Sequence, residues 1–72
     1  MEKAYELAEL YLNTNGARGE KELRELVLSG GDINELDGSG MSAMDIATAT
    51  EMQSKKMRIV APQLVEIIKS LQ

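Results

Sequence analysis

Seventy-two residues with no cysteine, histidine, tryptophan or phenylalanine leave room for one domain, with an aliphatic core supplying roughly 3–5 kcal/mol of net stability. The missing Cys and His exclude disulfides, thiolate metal sites, a cysteine nucleophile and the commonest general base near neutral pH. The formal charge of −4 is uneven: residues 1–51 hold eleven acids against four bases, and residues 52–72 one acid against four bases, which disfavours nonspecific DNA binding and suits a charge-complementary protein partner.

From Lys3 to Leu12, apolar Ala4, Leu7, Ala8 and Tyr11 follow i, i+3, i+4, i+7 spacing, with Tyr5, Leu10 and Leu12 widening the stripe. This predicts a first helix, ended by Asn13-Thr14-Asn15-Gly16, where Asn and Gly accept left-handed angles. A second helix starts at the mixed charges Glu20, Lys21 and Glu22. Leu23, Leu26, Val27 and Leu28 supply its apolar face, and Gly30-Gly31 stops it. Residues Asp32 to Gly40 are rich in Asp, Asn and Gly, and predict a protruding, hairpin-like loop of consecutive turns.

Ser42 and Asp45 have the spacing of a capping box and open a third helix whose inner face is Met44, Ile46, Ala47 and Met52. Thr48 to Arg58 contains neither Gly nor Pro, so the helix has no marked end there. Pro62 disfavours helical angles at Ala61 and suits a first helical turn, so the fourth helix is expected from there, with Leu64, Val65, Ile67, Ile68 and Leu71 on one face. No strand pattern competes. The fold class expected is all-α, two antiparallel helix pairs joined by a hairpin-like loop, in a single domain over residues 1–72. No apolar run approaches the ~20 residues that cross a bilayer, and the start alternates acids with apolar residues, so the chain reads as cytoplasmic with no membrane contact.

The stretch Asp37, Gly40, Ser42, Ala43, Met44, Asp45 and Ala47 resembles the ankyrin-repeat pattern Asp-x-x-Gly-x-Thr-Pro-Leu-His-x-Ala. Here Ser stands for Thr, Ala for Pro, Met for Leu and Asp for His. Glu25-Leu26-Val27-Leu28 before Gly30/Gly31-Asp32-Ile33-Asn34 is similar to the end of a preceding repeat, and Leu64 to Ile68 to a following second helix. The core match runs from Leu23 to Ala47. Ala47 to Leu64 exceeds the usual spacing by roughly nine residues, so Met52 to Ala61 should be a lengthened third helix or an inserted loop. The resemblance implies about two repeats, a protein-binding function, and contacts through Glu35, Leu36, Ser39, Met41, Ala49 and Thr50. Two repeats bury little, so the first or fourth helix should leave an apolar strip for a second copy, as a homodimer, or for a partner.

Other motifs read more plainly as structure. Gly38-Ser39-Gly40-Met41-Ser42-Ala43 fits a dinucleotide fingerprint formally, but that needs a buried strand before it, and Asp32 to Asp37 is too polar. Asp32, Asn34 and Asp37-Gly38 do not keep calcium-loop spacing. The twelve residues from Gly30 to Met41 are too many for a helix-turn-helix. Lys55-Lys56-Met57-Arg58 reads as a helix C-terminus complementing the macrodipole, and nucleic-acid binding through it ranks last. The expectation is a non-catalytic interaction module with no cofactor, metal or small-molecule substrate. The alternative is a small acidic inhibitor of phage or mobile-element type, occupying a nucleic-acid site on a host enzyme.

Overall fold

Residues 2–72 are described by a computed structural model. Their apolar spacing resolves into four helices, α1 (Ala4–Asn13), α2 (Glu20–Leu28), α3 (Ala43–Thr50) and α4 (Lys55–Ser70). The fold is all-α, with no strand among the described residues. Turns fold the chain back on itself, so α1 packs on α2 and α3 on α4, while α1 also lies against α3 and α4. α1 is thus the common neighbour of the other three.

The reason α1 can sit there is its composition. It buries Ala4, Leu7, Ala8, Tyr11 and Leu12, and its two alanines meet Ala43 and Ala47 of α3 and Ala61 of α4 in one core, all five fully buried. Methyl side chains set a short distance between helix axes. Leu23, Leu64 and Ile68 fill the remaining space and are wholly buried. No charged or polar side chain is buried among the described residues.

Local chemistry sets most of the boundaries. After α1 the Thr14 hydroxyl donates to the Leu10 carbonyl at 2.8 Å and accepts from the Arg18 amide at 3.0 Å. Asn15 and Gly16 take φ of 54° and 86°. Glu20 and Glu22 occupy the first turn of α2, where the helix dipole favours negative charge, and Glu20 pairs with Arg24 at 2.9 Å. At the other end the Gly31 amide donates to the Leu26 carbonyl at 2.8 Å. The Ser42–Asp45 capping box is formed in both directions: Asp45 N–H donates to Ser42 Oγ at 3.2 Å, and Ser42 N–H to Asp45 Oδ2 at 3.0 Å.

Several expectations need correction. α3 stops at Thr50, so Met52 to Ala61 is neither a lengthened third helix nor an inserted loop. A turn follows, then Ser54 caps α4 by accepting from the Met57 amide at 3.1 Å. The Thr48 and Thr50 hydroxyls donate back to the carbonyls of Met44 and Ile46, a pattern that weakens helix continuation. Pro62 lies inside α4 and Ala61 before it is helical and buried. A mid-helix proline costs about 3 kcal/mol, but burying a Val or Leu side chain returns about 1.5–3 kcal/mol each. Val60, Leu64 and Ile68 are all buried on this helix, so the continuous helix wins.

Two further corrections concern side chains. Leu28 lies outside the apolar face of α2 and is 86% exposed, and Met52, expected to face inward, is 72% exposed. The expected apolar strip is also missing: among the described residues α1 exposes no large hydrophobic side chain and α4 exposes Ile59 alone. No helix of the described residues is long and apolar enough to cross a membrane.

Candidate interaction surface

The connection between α2 and α3 is ordered by its own carboxylates. Asp32 Oδ1 accepts from the Asn34 amide at 2.8 Å. Asp37 Oδ1 accepts from the amides of Ser39 at 2.8 Å and Met41 at 2.9 Å. Asp37 N–H in turn donates to the Met41 carbonyl at 2.9 Å, and Gly40 N–H to the Asp37 carbonyl at 3.0 Å. Gly40 has φ of 80°, the left-handed angle that closing this turn requires and that glycine takes without a Cβ penalty. The result is a small closed loop from Asp37 to Met41 that runs straight into the Ser42 cap.

Three long-range ties hold the start of the connection. Ile33 is buried in the core, Asn34 Oδ1 accepts from Gln72 Nε2 at 3.0 Å, and Glu35 pairs with Lys3 at 3.1 Å. The hydrogen bond and charge of Glu35 raise the Lys3 pKa above its ordinary value. Such an exposed pair adds little to stability, but it places Glu35 beside the start of α1.

The six residues implied as contacts fall into three groups. Leu36, 58% exposed, and exposed Ser39 stand on the connection itself. Glu35 and Met41 are half-buried, Glu35 held to Lys3 and Met41 by its amide to Asp37. Exposed Ala49 and half-buried Thr50 sit at the far end of α3, with the Thr50 hydroxyl donating to the Ile46 carbonyl at 2.7 Å. The Gly38 to Ala43 run is turn plus helix cap, with no strand leading into it.

A second surface feature was not anticipated. Glu2, Glu22 and Glu25 line an open groove of about 210 Å³ between α1 and α2, with Leu7 and Leu26 on its floor and Ser29 at one end. Glu22, Glu25 and Ser29 are three and four residues apart along α2 and its C-cap, a spacing visible in the sequence. Nothing there indicated that α1 would complete the other wall.

The basic stretch Lys55-Lys56-Met57-Arg58 also changes place. It forms the first turn of α4, and so lies at the positive end of the helix dipole instead of complementing the negative end. That turn holds no acid. Compared with known protein families, curated proteins and solved structures, the chain matches none of them.

Proposed function

We propose that this chain is a non-catalytic module that binds another protein through the Glu35–Met41 connection and the adjoining exposed side of α3. The observation that carries the reading is the self-ordered Asp37–Met41 loop, which presents Ser39 to solvent next to exposed Leu36. A loop already held in one shape loses less entropy on binding, so more of its contact energy appears as affinity. The ankyrin-like pattern from Asp37 to Ala47, which runs from this loop into α3, supports the same reading.

Two substitutions test it, with partners captured from lysate of the source cells and compared with those of the wild type. Ser39→Arg should keep full helicity by circular dichroism and lose the partner that the wild type retains. Retention of that partner would remove the loop from the contact. Ala47→Asp should unfold the chain, because it buries an unpaired charge between α1, α3 and α4. A folded Ala47→Asp would mean that the helix packing is misassigned.

The acidic-inhibitor reading draws on the three carboxylates of the α1–α2 groove. Displacement of the partner by DNA, with binding lost as salt rises, would favour it over the loop contact.

A further inference from the structure

The chain carries two surface patches of opposite charge, and the basic one runs against its own helix dipole. On one side, the α1–α2 groove is lined by Glu2, Glu22 and Glu25. It extends to Ser29, the cap residue of α2, whose last turn contains no base. Glu22 lies in the first turn of α2 and Glu25 in its middle, and among the described residues none of the three is in an ion pair. On the other side, the first turn of α4 holds Lys55, Lys56 and Arg58, all exposed and unpaired among the described residues. Apolar Met52 and Ile59 flank them, 72% and 66% exposed.

Like charge at a helix end is unfavourable in the isolated chain. A contact that brings the two patches together relieves the basic turn of α4 and gives the unpaired carboxylates of the groove their counter-charges. The groove also has what a basic segment with apolar side chains needs, since Leu7 and Leu26 form a floor beneath the carboxylates.

We propose that the α1–α2 groove takes the basic first turn of α4 from a second copy of the chain, with Lys55 and Lys56 against Glu22 and Glu25 and Met52 or Ile59 over the apolar floor. When each copy gives its turn to the other's groove, the exchange is reciprocal and closes as a two-fold dimer; when it is one-way, the contact is heterologous and grows into longer assemblies. The surface is separate from the Glu35–Met41 connection, so the proposal stands independently of the partner-binding reading.

The test is sedimentation equilibrium of the full chain from micromolar to millimolar concentration, in about 10 mM and about 1 M salt, where the screening length falls from about 30 Å to about 3 Å. At low salt the weight-average mass should climb from 7.9 kDa toward twice that value or beyond, and at high salt it should return to the monomer. Lys55→Glu/Lys56→Glu should abolish the rise, and so should Glu22→Lys/Glu25→Lys. All four positions are at the surface, and circular dichroism verifies that each variant is folded.

Mixing the two variants should restore association, since each groove then meets a turn of opposite charge. A wild type that remains at 7.9 kDa to millimolar concentration at low salt overturns the proposal. So does association that survives either charge reversal, or a mixture that stays monomeric.

Discussion

At Gly19 the backbone takes φ of 109°, and a Cβ there would lie 2.8 Å from the Leu7 carbonyl oxygen and 3.2 Å from Tyr11 Cβ. The start of α2 is laid directly on the backbone of α1, and only hydrogen fits between them. Gly19→Ala should therefore destabilise the protein by about 1–3 kcal/mol from backbone strain, with the steric clash in addition. Urea unfolding measures this, and an unchanged midpoint would contradict the close approach.

Tyr11 makes a second residue-scale prediction. Burial raises its pKa, and the charge of Glu20 adds to the shift, while its hydroxyl donates to Gln63 Oε1 at 3.3 Å. A folded pKa above the unfolded value of about 10 means a contribution to stability that is complete below that pH. It is lost as pH rises through the folded value. Tyr11→Phe should lack this alkaline loss, and equal alkaline losses in both proteins, followed by thermal melting, would rule out the burial account.

Residue-level features of this sort were legible where the chemistry is local. The Ser42–Asp45 box and the glycine at position 40 depend on neighbours within a few positions. The burial of Ile33 was not legible, because it sits among Asp, Asn and Glu and is covered only once the connection folds back on the core.

At the scale of elements, α1 and α2 were readable nearly to the residue because Asn, Gly and mixed charge mark their ends within a few positions. The α3–α4 boundary was not. Its only sequence mark is the single cap residue Ser54, whereas Pro62 pointed eight residues further on. What decides the matter is nonlocal, the burial of Val60 and Ala61 on the same face as Leu64 and Ile68. If burial holds α4 together against its proline, then Pro62→Ala restores a missing donor and should raise stability by about 1–3 kcal/mol. The gain is offset in part by a looser unfolded state. A drop in the urea midpoint would mean that Pro62 has a packing role that outweighs its helix penalty.

For the whole molecule, net stability of roughly 0.05–0.15 kcal/mol per residue leaves a chain of 72 residues little reserve, so association matters to the fold itself. Binding between native copies stabilises them by mass action, up to about 1.4 kcal/mol for each tenfold rise in concentration. The melting temperature should accordingly rise with protein concentration in low salt and stay flat in high salt. A concentration-independent melting temperature in low salt would count against the groove contact. The helical class of the molecule was legible from its 3.6-residue periodicity. The groove was not, because its two walls come from helices whose mutual placement depends on glycine and alanine approaches that no pattern of polar and apolar residues encodes.

Both aromatic side chains of the chain, Tyr5 and Tyr11, stand on α1. The intrinsic fluorescence of this protein is consequently a report from one helix, the one that touches all the others. Far-ultraviolet dichroism counts helical residues wherever they lie. A gap between the two signals during unfolding would therefore locate the event: fraying of α2 or the ends of α4 appears in the dichroism first, and loss of the central contacts appears in both at once.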